Sequence, residues 1–174
     1  MASWNRTGAV LLRLALLIFL ILLLHLTLIH RIRILGVGPD LSILLMVYLA
    51  LWRGAILGTT GGFLIGILQG ISSPFHFGAH ALAKSIVGFS TGKLGPHVVR
   101  ESMATQAAII VGAQILHDLI LLPIVLNGAG SFFLVLVTRT LPGALYSAVL
   151  GCVIYRFVLR PIGLDLRFHG TSLL

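Results

Sequence analysis

The chain has 174 residues, 58% of them hydrophobic and only 9% charged, with a mean hydropathy of +1.11. A soluble domain carries about 25% charged residues, so too few charges are present to cover a water-exposed surface of this size. The net charge of +8 is spread singly between apolar runs; with no basic stripe to follow a phosphate backbone, nucleic-acid binding is excluded.

The expected architecture is an all-α integral membrane protein forming one domain over 1–174. A membrane span needs about 20 mostly apolar residues. In chain order, six segments qualify: 10–30, 36–52, 54–71, 78–95, 103–126 and 132–156. The first is read as a retained helix, because Leu14 to Ile29 exceeds a signal-peptide core and ends at His30-Arg31-Ile32-Arg33 rather than at small residues. Gly36-Val37-Gly38-Pro39 opens the second, where Pro39 suits a first helical turn. Trp52-Arg53-Gly54 makes a tight hairpin into the third, and Ser72-Ser73-Pro74 separates the third from the fourth. Gly95-Pro96-His97 and Asn127-Gly128-Ala129-Gly130-Ser131 are the remaining turns. Cys152, the single cysteine, lies in the sixth segment with no disulfide partner and no zinc-ligand spacing.

Charge fixes the orientation. With the N-terminus inside, Arg6, Arg13, Arg53, Lys93, Arg100, Arg156, Arg160 and Arg167 are cytoplasmic, and only Arg31 and Arg33 are external. That bias predicts six spans with both termini cytoplasmic.

Two constellations stand out. Gly54, Gly58, Gly62, Gly66 and Gly70 recur every four residues, forming a stripe that lets another backbone approach closely, from within the bundle or from a partner. Asp40, Lys84, Asp118 and Arg139 each fall inside an expected span. Counting along the helices at about 1.5 Å per residue places all four in the outer half of the bilayer. Two acids and two bases at one depth suggest a neutralised polar cluster, with Lys84–Asp118 the expected pair because their helices are consecutive. Asp40 and Arg139, near helix starts, can alternatively snorkel to the interface. The cluster can stabilise the bundle, receive a polar group of a partner, or bind a small solute.

No catalytic set emerges, and the chain is expected not to be an enzyme. Gly88-Phe89-Ser90-Thr91-Gly92 matches G-x-S-x-G, but that motif needs a strand-to-helix turn and here falls within an expected helix. Its only histidine candidate, His117, is displaced along the membrane normal by on the order of 9 Å. His76 and His80 lack the acidic residue of a zinc-protease motif. His117 and Asp118 are adjacent and are expected to point apart. Gln69, Gln106 and Gln114 suit interhelical hydrogen bonds. No cofactor and no metal are expected.

Several of these residues together resemble a known family. Gly38-Pro39-Asp40-Leu41, then Arg53-Gly54, then Gly66-Ile67-Leu68-Gln69-Gly70, then Phe77-Gly78-Ala79-His80-Ala81-Leu82 and Val87-Gly88-Phe89 are similar to MreD, the bacterial rod-shape-determining membrane protein. The likeness covers roughly residues 36–95. The family usually carries an acidic residue where Gly70 stands, and an Asn before the Ala-Leu pair where Ala79-His80 stands. The resemblance implies a non-enzymatic scaffold in the cytoplasmic membrane that serves cell shape and lateral peptidoglycan synthesis. It implies MreC as partner, through its membrane helix and periplasmic domain, and links to MreB, RodA and a class B penicillin-binding protein. It also implies a six-helix fold similar to the substrate-binding subunits of energy-coupling-factor transporters. The rival expectation is such a vitamin-binding subunit itself. Those subunits dock their energising partner through small residues on the first helix, whereas Leu16 to Ile29 contains no Gly, Ala or Ser.

Overall fold

The computed structural model describes residues 38–71, 78–99, 102–126 and 131–159. The expected first span at 10–30, the turns at 72–74 and 127–130, His76, and Arg6, Arg13, Arg31, Arg33, Arg100, Arg160 and Arg167 lie outside the described residues. The described residues are helical, with no strand among them. We number the helices α1 (Leu41–Arg53), α2 (Ala55–Ile71), α3 (Ala79–Leu94), α4 (Met103–Leu126) and α5 (Phe132–Phe157). A single 3₁₀ turn, Gly95–His97, follows α3.

Polar side chains share the interior with the apolar core, and many large apolar side chains face outward. Ser42, Lys84, Thr91, Gln106, Gln114, His117, Thr140 and Ser147 are buried, while Ile56, Phe63, Leu64, Phe133, Leu145, Val149 and Phe157 are exposed. α4 and α5 are long and apolar enough to cross a membrane, yet only 22% and 28% of their apolar stretches are buried within the protein. A core helix of a soluble protein would be mostly covered; these outward faces suit an apolar solvent. Hydroxyls on the helices are quenched locally: Thr59, Ser85, Ser90 and Thr138 each donate to the carbonyl four residues earlier.

α1 is the central helix. Ile43, Leu44, Met46, Val47, Tyr48, Ala50 and Leu51 are buried all round it, and it packs against α2, α3, α4 and α5. It begins later than the sequence suggests, at Leu41 rather than within 36–39. Pro39 biases the residue before it away from helix. Asp40 then serves as the N-cap, its carboxylate accepting from the Ser42 and Ile43 backbone N–H groups at 2.9 and 3.1 Å. α1 ends at Gly54, whose φ of +84° and ψ of −170° lie in a region open essentially only to glycine. That residue redirects the chain into α2 within a single step.

Among the described residues, α2 and α3 form the closest helix contact. A Cβ on Gly58 would fall 2.5 Å from the Gly88 carbonyl oxygen, and one on Gly88 would collide with the Gly58 carbonyl in return. Gly62 abuts the Lys84 carbonyl, Gly66 the Ala81 backbone, and Gly92 the Ala55 backbone. Without side chains at these positions the two helices meet backbone to backbone, which maximises dispersion in a medium that offers no hydrophobic drive. Of the expected stripe, Gly58, Gly62 and Gly66 line this seam. Gly70 is buried one turn further on, whereas Gly54 is the hinge, where an added Cβ would meet nothing within 4 Å. The groove is filled by the chain's own α3.

α5 is irregular where sequence periodicity suggested a uniform helix. Phe132–Val135 is α-helical, Leu136–Thr140 winds as a π turn, Leu141–Ile154 is α-helical, and Tyr155–Leu159 is π again. Pro142 has no N–H to offer the Thr138 carbonyl, so the preceding turn is free to widen. At the far end of the bundle, Tyr48 donates to the Gly151 carbonyl at 2.7 Å and stacks on Tyr155 with ring centroids 6.2 Å apart. Arg53 lies over the Trp52 ring at 4.2 Å at that same end, a pairing suited to a membrane interface.

Candidate functional site

The polar residues of four helices converge at the end of the bundle where α1 begins. Their geometry corrects the expected pairing. Lys84, wholly buried on α3, forms its ion pair with Asp40, Nζ to Oδ2 at 3.6 Å, and donates to Ser42 Oγ at 2.7 Å. Ser42 in turn donates to Asp40 Oδ1, with Gln69 Oε1 of α2 at 3.3 Å as a second acceptor. The Asp40 N–H donates to Ser147 Oγ of α5 at 3.0 Å. Asp40 therefore caps α1, neutralises α3 and holds α5. Lys84 reaches Asp40 rather than Asp118 because α1, not α4, faces it at this level across the centre of the bundle; Asp118 acts on it only through space. A buried ammonium needs the opposite charge and hydrogen-bond acceptors; Asp40 provides the charge and Ser42 Oγ an acceptor.

Asp118 belongs to a second group on α4. Its Oδ2 accepts from Thr140 Oγ1 of α5 at 2.6 Å, and its two oxygens lie 3.3 and 3.4 Å from Gln114 Nε2, one turn away. Its Oδ1 is 2.8 Å from Nδ1 of His117. The expectation that His117 and Asp118 point apart is thus corrected: the short Asp side chain folds back along the helix to meet the imidazole. The His117 ring also stacks on His80 of α3, with centroids 6.0 Å apart. Stacking across helices joins the G-A-H-A stretch of α3 to α4, a contact that residue spacing did not reveal.

Arg139 does not join either group. It is exposed on the π turn of α5, with no ion pair among the described residues, while its neighbour Thr140 points inward to Asp118. The extra residue of the π turn helps set these two adjacent side chains on opposite sides. Of the four expected charges, the structure brings Asp40, Lys84 and Asp118 together at one end and leaves Arg139 on the outer surface.

The hydrolase-like stretch is placed as well. Ser90 lies in the middle of α3 and donates to the Ile86 carbonyl at 2.9 Å, so Gly88–Gly92 is continuous helix rather than a turn. Among the described residues, no group of three His, Cys, Asp or Glu side chains is placed to hold a metal ion. Cys152 contacts the Met103 carbonyl at 3.6 Å and is a packing residue between α5 and α4. No family model, no curated protein and no solved structure matches this chain.

Proposed function

We propose that this chain is a non-enzymatic scaffold of the MreD kind, crossing the bacterial cytoplasmic membrane six times with both termini cytoplasmic. Its ligands are other membrane proteins. One observation supports the reading: among the described residues of the resemblance, 38–71 and 78–95, several motif positions serve packing or helix ends within one unit, α1–α2–α3. Asp40 caps and pairs, Gly54 turns the chain, and Gly58, Gly62, Gly66 and Gly88 bring two backbones together. Such a motif encodes a rigid membrane body rather than a reaction.

Since α3 fills the glycine seam, a partner helix docks elsewhere, on the broad apolar faces of α4 and α5. The partner on this reading is an MreC-like protein with one membrane helix and a large external domain. Through it the chain joins an elongation assembly with MreB, RodA and a class B penicillin-binding protein.

Affinity purification of the tagged full chain from native membranes, after cross-linking, tests the proposal. Recovery of a single-span partner with a large external domain supports it. Specific tight binding of a vitamin, with no such partner recovered, overturns it in favour of a transporter subunit. Cysteine-accessibility labelling in whole cells tests the orientation: a cysteine replacing Asn127 should react from outside and one replacing Lys93 should not.

A further inference from the structure

The charges at the end of the bundle where α1 begins are not treated alike. Asp40 and Lys84 pair with each other, and Asp118 accepts from Thr140 with Gln114 and His117 alongside. Arg139 is exposed and has no ion pair among the described residues. Its charge is not in question, because a guanidinium stays protonated across the accessible pH range. The π turn keeps it outside: Thr140 takes the inward place against Asp118, and Arg139 is left on the outer surface.

That surface is apolar. Phe133, Leu134, Val137 and Leu141 are exposed along α5 on both sides of Arg139, and Ile124 and Val125 are exposed at the adjoining end of α4. Thr138 turns its hydroxyl to the Leu134 carbonyl. In a bilayer these side chains carry the hydrocarbon past Arg139 toward the start of α5. About 9 Å of helical rise separates Phe133 from Arg139, and headgroup phosphates lie beyond that. The arginine stem leans toward the N-terminal end of its helix and recovers part of the distance, but exposed apolar side chains still stand between. Lipids carry their anions in the headgroup, so a negative charge at the depth of Arg139 comes from a polypeptide.

The chain itself does not supply it. It has four acidic residues. Asp40 and Asp118 are engaged, while Glu101 and Asp165 adjoin arginines assigned to the cytoplasmic side, at the opposite end of α5. A second copy lying parallel in the membrane offers the same acids at the same depths and fails for the same reason.

We propose that the face of α5 around Arg139 docks a membrane helix of a different protein, and that this helix carries an aspartate or glutamate at the depth of Arg139. A guanidinium takes a carboxylate bidentately, so the contact fixes the register and rotation of the incoming helix on an otherwise apolar surface. The inference rests on the scaffold reading for the existence of a helical partner, and adds where that partner sits and what it carries.

The test places a photo-cross-linking amino acid at Val137, and separately at Leu141, of the tagged full chain in native membranes. The joined peptide is then sequenced by mass spectrometry. Both positions should capture a membrane helix with an Asp or Glu within about one turn of the cross-link. Arg139→Leu should lower the yield about tenfold or more, and Arg139→Lys should lower it less. Arg139→Glu should abolish capture, and changing the partner's carboxylate to arginine should restore it. A single-span partner with a large external domain, captured with a yield indifferent to Arg139, overturns the contact and leaves the scaffold reading standing. A carboxylate-bearing helix of another kind of protein, lost with Arg139→Leu, upholds the contact and removes the MreC-like partner. Cross-links to lipid alone, or to a helix with no nearby Asp or Glu, overturn the proposal.

Discussion

Gly62 and Gly112 provide a matched pair in which one substitution should have opposite signs. Both are helical glycines, so replacement by Ala gains helix propensity, at most about 1 kcal/mol. That gain is smaller if the helix persists in the bilayer when the bundle opens. At Gly112 a Cβ meets nothing within 4 Å, and the propensity gain stands alone. At Gly62 the new Cβ would lie 2.7 Å from the Lys84 carbonyl carbon and 3.2 Å from the Ser85 nitrogen, both backbone atoms of α3. Carbon atoms prefer about 3.5–4.0 Å, so α2 and α3 must part, and the contacts of Gly58 and Gly66 loosen together. Overpacking of this kind costs about 1–3 kcal/mol, which exceeds the gain. Gly62→Ala is therefore expected to destabilise the bundle by about 1–2 kcal/mol, and Gly112→Ala to leave it unchanged or slightly stabilised. Reversible unfolding in mixed detergent–SDS micelles, followed by tryptophan fluorescence, measures both. If Gly62→Ala equals or exceeds the wild type, or the two variants behave alike, the backbone-to-backbone seam is wrong.

Lys84→Met and Asp40→Asn each leave one member of a buried ion pair uncompensated and should each cost about 3–5 kcal/mol, while the double variant should cost much less than their sum; a double-mutant cycle in the same assay decides. Gly54→Ala should destabilise by on the order of 1–3 kcal/mol although its Cβ meets no atom within 4 Å, because the penalty lies in the backbone angles; its fall relative to Gly112→Ala isolates that term. Tyr48→Phe removes the hydrogen bond to the Gly151 carbonyl and should cost about 1 kcal/mol, read as a lower SDS midpoint.

The positions of the helices were legible because glycine, proline and charge punctuate this chain sharply: α4 occupies the same residues, Met103–Leu126, that hydropathy marks out. Register along the helices was legible too, since rise per residue is nearly constant, and it brought Asp40, Lys84 and Asp118 to one end of the bundle. Rotation about the helix axes was not legible. The order of helices in the chain made α3 and α4 neighbours, but it did not reveal that α1 stands at the centre and offers Asp40 to Lys84 first. Nor could spacing foresee Arg139 and Thr140 parting across a π turn, which depends on Pro142 removing a backbone donor two residues beyond. His117 and Asp118 show the limit of helical-wheel reasoning: a 100° separation governs Cβ directions, whereas a carboxylate on a short stem can still turn back to its neighbour.

The central ion pair also constrains how the protein is made. Asp40 emerges from the ribosome 44 residues ahead of Lys84. At about 5–20 residues per second, that is an interval of roughly 2–9 s. Throughout it, α1 carries a carboxylate at its N-terminal end whose counter-charge has not yet been synthesised. α1 therefore cannot be released alone into lipid without either protonating Asp40 or remaining sheltered in the insertion machinery. Release of α1, α2 and α3 as one body, after Lys84 has entered, removes the problem; on the proposed membrane reading, a single late-arriving lysine would govern when these helices leave the translocon.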